Sequence, residues 1–244
     1  MPRGESHIQV AGATEQGRRG NNQDVFFADG AAGLFLIADG VGSSPYGDVA
    51  AQLAAEAIRE TVSASSGRQA VGDLLCAAVT HAHDHIHEQK KVRGIDKMSC
   101  ALVVALLRDR TLTVANAGDS RAYLRCANGD LRQLSFDHSV ANMMLSKGYI
   151  TADMVPKHHL RHTLITSVGG SQKLVVAVEE TTVASGDRIL LCSDGVSDAL
   201  DSATISAVLG GDASAQVLAE RLVEAAVEAS GKDNATAIVV CPGW

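Results

Sequence analysis

No apolar run in the 244 residues is long enough to cross a bilayer; the longest, such as 34–38 and 101–107, stop after a few residues. The N-terminal stretch MPRGESHIQV lacks the apolar centre of a secretory signal. The expectation is a cytoplasmic protein with no membrane partner. Blocks of Lys and Arg are also missing, and 28 acidic side chains outnumber 21 basic ones. Phosphate backbones are bound by clustered cations, so nucleic acid is not an expected partner. Paired cysteine spacings are absent too. Cys76, Cys100, Cys126, Cys192 and Cys241 are odd in number, far apart and mostly inside apolar runs. They read as reduced core thiols rather than as disulfides or a zinc site. Proline is scarce, with two of four near the ends (Pro2 and Pro242) and Pro45 and Pro156 in expected loops. With no Pro/Gly/Ser-rich linker and no internal repeat, residues 1–244 read as a single domain.

What is present is ordinary for a folded protein: 46% apolar and 20% charged residues exclude a wholly disordered chain. A chain of this length buries most of the surface its unfolded form exposes and needs no staple to hold a core.

Hydrophobic periodicity predicts strands over 7–13, 25–28 and 34–38, then helices over 48–62 and 74–92. On the first helix Val49, Leu53, Ala57, Ile58 and Val62 share a face, and Asp48 suits the positive end of the helix dipole. On the second, Leu75, Ala78, Val79, Ala82 and Ile86 form the stripe, and Gly94 falls where a C-terminal glycine is common. Strand patterns resume over 100–107, 111–116, 121–125 and 131–134, with Asn128-Gly129 as a hairpin turn. Residues 136–166 read as a short helix plus irregular surface chain. Strands over 173–183 and 188–192, a helix over 213–229 and a strand over 235–241 complete the order. This is not regular βαβ alternation; it predicts antiparallel sheets covered by helices, an α+β fold.

Four carboxylates hold special positions. The apolar strand Leu34-Phe35-Leu36-Ile37-Ala38 runs into Asp39-Gly40, and Ile189-Leu190-Leu191-Cys192-Ser193 runs into Asp194-Gly195. Asp24 and Asp233 stand instead just before strands. In antiparallel neighbours one strand's exit lies beside the next strand's entrance, so all four can gather on one rim. Carboxylates that close repel one another unless cations neutralise them, and an all-oxygen donor set selects hard ions such as Mg²⁺ or Mn²⁺. Any one Asp-Gly alone is ordinary turn chemistry; the combination carries the signal.

At these residues the chain resembles the metal-dependent PP2C-type serine/threonine phosphatases in their shorter bacterial form. The segments that carry the likeness are Gly17-Arg18-Arg19-Gly20-Asn21-Asn22-Gln23-Asp24, Asp39-Gly40-Val41-Gly42, Ala117-Gly118-Asp119-Ser120-Arg121-Ala122-Tyr123, Asp137-His138-Ser139, Leu191-Cys192-Ser193-Asp194-Gly195 and Lys232-Asp233-Asn234. They occur in family order along nearly the whole chain. The resemblance implies a four-layer α-β-β-α sandwich of two antiparallel sheets flanked by helices, with a flap-like insert at about 137–170. It implies that Asp39 bridges two ions with Gly40 adding its carbonyl, and that Asp194 and Asp233 hold the first ion. Asp24 would support the second, directly or through water, and Asp119 would help hold a third, weaker one. Arg19 would grip the substrate phosphate. The implied reaction is hydrolysis of phosphoserine and phosphothreonine by a metal-activated water, without a covalent phospho-enzyme. The implied partners are phosphoprotein substrates of a Ser/Thr kinase pathway, met by a monomer.

The chain departs from the family pattern in places. Val41 stands where animal members have His, and Ser43-Ser44 follow Gly42 where many bacterial members read Gly-His, which leaves the source of the leaving-group proton open. Met98-Ser99-Cys100-Ala101 replaces a Gly-Thr-Thr-like strand start, and Lys157-His158-His159-Leu160-Arg161 replaces a His-Pro flap start. Alternatives are a catalytically weak member acting as a binding module, and a two-metal phosphohydrolase for small molecules or nucleic acid. His81, His83, His85 and His87 flank the apolar stripe of their helix on two sides and read as a solvated border; His81, His85 and Glu88 offer a rival transition-metal set. Cys192 reads as a packing residue.

Overall fold

The computed structural model describes residues 7–244 apart from Ser43 and Arg68. In chain order the elements are β1 (His7–Glu15), β2 (Asp24–Asp29), β3 (Leu34–Gly40), α1 (Gly47–Ser63), α2 (Val71–Arg93), β4 (Cys100–Arg108), β5 (Thr111–Ala117), β6 (Arg121–Arg125), β7 (Leu131–Gln133), α3 (Val140–Ser146), a 3-10 turn (Ala152–Lys157), β8 (Ala177–Thr182), β9 (Arg188–Cys192), α4 (Asp194–Ser197), α5 (Ser202–Leu209), α6 (Ala215–Ala229) and β10 (Ala235–Gly243).

The strands form two five-stranded sheets, ordered β1-β10-β9-β6-β7 and β2-β3-β4-β5-β8. Every neighbouring pair is antiparallel. Strand alternation sorts the core into three layers. In β3 and β4, Leu34, Leu36, Leu102, Val104 and Leu106 pack under α1 and α2. Phe35, Ile37, Val103 and Ala105 point the other way and meet Ile189, Leu191, Ile238 and Val240 of the second sheet. The opposite faces of β9 and β10, with Leu190, Cys192, Ala237 and Val239, take α5 and α6 through Ile205, Leu218 and Leu222. Helix, sheet, sheet, helix is the predicted four-layer sandwich. Its central strands are buried on both faces, which is why they read as unbroken apolar runs. Phe35 sits between the sheets with no exposed surface, and its truncation to Ala costs about 3–5 kcal/mol.

Several elements differ from expectation, the short helix α4, which was not anticipated, among them. The buried face of α1 is lined by Ala50, Ala51, Ala54, Ala55, Ala57 and Ile58, while Val49, Leu53 and Val62 are only partly buried at its border. Small alanines let α1 lie close to both α2 and the sheet, a stronger demand than bulk. Strand β8 is shorter than 173–183: Thr166 Oγ1 donates to the Lys173 carbonyl (3.3 Å) and accepts from the Val175 N–H (3.0 Å), so the chain there pairs with a loop. Helix α5 was not anticipated, although Asp201 caps it by accepting the Thr204 N–H at 2.8 Å. Residues 137–170 carry α3 and the 3-10 turn. Two isolated antiparallel bridges, Ser139 to Leu164 and Val168 to Cys100, tie this stretch to itself and to β4.

Candidate metal centre

The register of β2 against β3 places Asp24 directly opposite Asp39. Asp119 follows Gly118, whose φ of +120° suits glycine, in the turn from β5 to β6. Asp194 opens α4 at the exit of β9, and Asp233 lies two residues before β10. Gly195 is the position where the second pair meets. A Cβ there would collide with the Asn234 carbonyl oxygen, so only glycine lets α4 start against the entrance of β10.

Polar bonds lock these strand ends together. Asp24 Oδ2 accepts from Ser193 Oγ (2.8 Å) and Thr236 Oγ1 (2.6 Å), linking β2 of one sheet to β9 and β10 of the other. Asn234 gathers the N-terminal loop: its Nδ2 donates to the carbonyls of Gln16 (2.7 Å) and Asn21 (3.0 Å), and its Oδ1 accepts the Gln23 N–H (2.9 Å). The loop so held carries Arg19, whose Nη2 donates to Asp233 Oδ2 at 2.5 Å. The same guanidinium lies against Gly42, beside the Asp39-Gly40 turn.

The electrostatics follow from this crowding. Burial first, then repulsion from Asp24, Asp194, Asp119 and Asp233, raises the Asp39 carboxyl well above the ordinary carboxylate range. Asp194 is raised well above it too, by burial and then by Asp119, Asp198, Asp233 and Asp24. Asp119 is pushed up to about 7 by burial and by Asp137 and Asp198. Burial also raises Asp24, against the pull of its two hydroxyl donors. Each residue keeps some surface open to solvent, so the carboxyl groups lie recessed but reachable. Among the described residues, Arg19 with Asp233 is the one ion pair that touches these five aspartates. Among the described residues Asp24, Asp39, Asp119 and Asp194 have no ion-pair partner. Recessed, mutually repelling, unpaired carboxylates are a donor set that divalent ions fit.

All five aspartates and Arg19, singled out in the sequence, thus lie at one end of the sandwich, near enough for their charges to act on one another. Two further residues join them unannounced. His162 Nδ1 stands 3.1 Å from Asp198 Oδ2, and His162, Asp194 and Asp198 each bring a ligand atom within 4.8 Å of the others. Asp198 had a legible signal, being four residues after Asp194 at helical spacing. His162 arrives from the insert by tertiary folding alone.

Asp137 and His138 prove structural. Asp137 takes a bidentate bond from Arg121, Nε to Oδ1 at 3.0 Å and Nη2 to Oδ2 at 2.6 Å, and accepts from Gln133 at 2.8 Å. The His138 N–H donates to the Gly118 carbonyl (2.9 Å), and Ser139 caps α3 by accepting the Asn142 N–H. The rival metal set on α2 does not assemble. His81 is turned to Thr61 Oγ1 at 2.9 Å, its ring centroid is 6.4 Å from that of His85, and His85 reaches Glu88 only at 4.0 Å. The five cysteines are free. Burial pushes the Cys192 thiol up to about 12, as suits a packing residue. Of the turn at 41–44, Ser43 lies outside the described residues.

A two-sheet sandwich with a recessed carboxylate cluster at one end and an arginine on its rim defines a divalent-metal phosphate hydrolase. The sequence model of protein phosphatase 2C matches residues 4–230. The chain belongs to the protein phosphatase 2C family and is a metal-dependent protein phosphatase. It is 27% identical over 235 residues to the serine/threonine phosphatase stp of Listeria innocua, covering 93% of each chain. It is 32% identical over 211 residues to the serine/threonine protein phosphatase PstP of Mycobacterium tuberculosis, covering 83% of this chain and 39% of that longer one. The catalytic domain of a PstP solved with two manganese ions superposes with a TM-score of 0.84 at 29% identity, covering 96% and 98% of the two chains. A Streptococcus agalactiae serine/threonine phosphatase, at 22% identity and TM-score 0.88 over 96% and 99%, shares the fold. No described helix is long and apolar enough to cross a membrane.

Proposed function

We propose that this protein hydrolyses phosphoserine and phosphothreonine in protein substrates by direct attack of water, without a covalent phospho-enzyme. The observation that carries the reading is the convergence of Asp24, Asp39, Asp119, Asp194 and Asp233 from both sheets on one recessed rim beside Arg19. Asp39, with the Gly40 carbonyl, would bridge two ions, Asp194 and Asp233 would complete the first site, and Asp24 would support the second, directly or through a water. Asp119 would contribute to a third. Mn²⁺ or Mg²⁺ bound there supplies a nucleophile near neutral pH and screens the charge that develops on phosphate. The protein's own part is positional. Ser193 and Thr236 fix the Asp24 carboxylate, Asn234 fixes the Arg19 loop, and the guanidinium presents a planar fork to phosphate oxygens. Residues 1–244 act as one catalytic domain, a monomer in the cytoplasm, with 137–170 as a flap bordering the cleft. Its substrates are the products of a Ser/Thr kinase pathway.

The test is dephosphorylation of a phosphoserine peptide with EDTA and after Mn²⁺ add-back, for wild type, Asp39→Asn and Asp194→Asn. Metal-dependent release that both substitutions abolish is expected. Equal release with EDTA, or release that survives both substitutions, overturns the reading. Faster turnover of nucleotides than of phosphopeptides would move the substrate to small molecules.

A further inference from the structure

Two of the four α2 histidines are not a solvated border. The Gly169 N–H donates to His83 Nδ1 at 3.1 Å. His87 Nε2 lies 3.0 Å from the Gly170 carbonyl oxygen, which makes that nitrogen the donor. Lys90 Nζ donates to the Gly169 carbonyl. The two imidazoles touch edge to face, with centroids 4.5 Å apart. Three side chains at i, i+4 and i+7 on one helix thus converge on the backbone of two consecutive residues, Gly169 and Gly170. Gly169 has φ +76°, and a Cβ there would run into Ile86 and the Met98 carbonyl, so the turn is pressed flat on α2.

That turn closes the 137–170 insert. Its Val168 exchanges both backbone bonds with Cys100 (2.9 and 3.0 Å). Cys100 is the register partner of Gly40, and the Val41 N–H donates to the Ser99 carbonyl at 3.0 Å. A continuous chain of bonds therefore leads from α2 through the turn to the strand end that bears Asp39.

We propose that His83, His87 and Lys90 form a proton-sensitive clamp on the turn at 167–170, positioning both the insert and the Asp39-Gly40 strand end. His83 must keep Nδ1 unprotonated to accept the Gly169 N–H. Protonation removes that acceptor and sets a cation beside His87, with the Lys90 ammonium as a second one nearby. Burial, then His87, already holds the His83 imidazole below its ordinary range. The charged groups facing it are His87, Asp84 and Lys90 of α2; the turn offers backbone at Ser167; Asp96, beyond the helix, faces Lys90. The neutral state is the clamped one, and falling pH opens it.

The test is amide hydrogen exchange of the segment 167–170 on the metal-free full chain, normalised for chemical exchange. It is read at about pH 7.5 and about pH 4, the lower value set beneath the ordinary histidine range because burial depresses the His83 imidazole. Wild type should exchange roughly tenfold faster at the lower pH, the scale of one or two lost hydrogen bonds. His83→Asn keeps an acceptor at the Nδ1 position without titrating, and should stay protected at both. His83→Ala should be open at both; if it does not fold, the pH response of His83→Asn against wild type decides alone. Equal protection of wild type at both pH values, or a response that persists in His83→Asn, overturns the clamp. Because exchange needs neither metal nor substrate, its outcome is separate from the phosphatase reading. With Mn²⁺ and p-nitrophenyl phosphate, His83→Asn should retain wild-type kcat/KM at neutral pH.

Discussion

Arg19 closes on Asp233 at 2.5 Å, joining two residues 214 positions apart. Both side chains are over one-third exposed, so the pair adds little to stability. Its meaning is positional: it aims a permanent cation at the cleft, next to a carboxylate proposed to bind metal. Asp233 in turn holds the guanidinium more firmly protonated than usual.

Arg19→Ala should lower kcat/KM on a phosphoserine peptide by roughly 10- to 100-fold, the scale of charge-assisted hydrogen bonds to phosphate. Manganese stoichiometry, measured by calorimetry, should be unchanged. Wild-type kcat/KM in Arg19→Ala would remove the phosphate role.

Asp39→Asn should have opposite effects on activity and fold. Loss of the carboxylate proposed to bridge the ions should cut kcat by on the order of 10³-fold or more, comparable to losing a main electrostatic contact. In EDTA the same substitution removes a buried carboxyl that is crowded by four other aspartates. Thermal unfolding of the metal-free protein should therefore shift up by about 2–4 °C per kcal/mol of relieved repulsion. A metal-free Asp39→Asn that melts below wild type would contradict the crowding described.

The pH dependence follows from the raised carboxyls. Asp119 moves from 3.8 to about 7 on folding, so between those values the folded state binds more protons than the unfolded one. Its contribution is fully present below 3.8 and is lost as pH rises through about 7. Without metal, the melting temperature of wild type minus that of Asp119→Asn should fall from about pH 5 to about pH 7.5. Manganese needs the ionised carboxylates, so its stabilising effect should grow over the same interval. Differential scanning fluorimetry in EDTA and in Mn²⁺ reads both trends; a flat difference in EDTA would refute the assignment.

Arg121 and Asp137 make a different prediction. This pair is largely buried, with side-chain exposures of 24% and 8%, and Arg121 also donates to the Tyr123 hydroxyl at 3.1 Å. Asp137→Ala strands a buried guanidinium and should cost about 3–5 kcal/mol in urea unfolding. A loss under 1 kcal/mol, by the same scale, would mean that the pair behaves as an exposed one.

Much of the sandwich was legible because its central strands are sealed on both faces. Leu34–Ala38 and Ile189–Cys192 could be read as buried from composition alone, and their terminal aspartates stood out against that background. The buried face of α1 was misplaced because periodicity weighs bulky side chains, whereas close helix packing there selects alanine. Helix α5 was missed although Asp201 and Gly210 bracket it. His83 and His87 looked like a polar border because nothing local shows that a turn more than 80 residues later folds back on them. The same holds for His162 beside Asp198.

The carboxylates come from different sheets: Asp24 and Asp39 from one, Asp194 and Asp233 from the strand ends of the other. With the ions held as proposed above, neither sheet alone would supply the full donor set. A nascent or clipped chain that has built only one layer would lack part of it, so ion capture would double as a signal that both halves of the sandwich have docked.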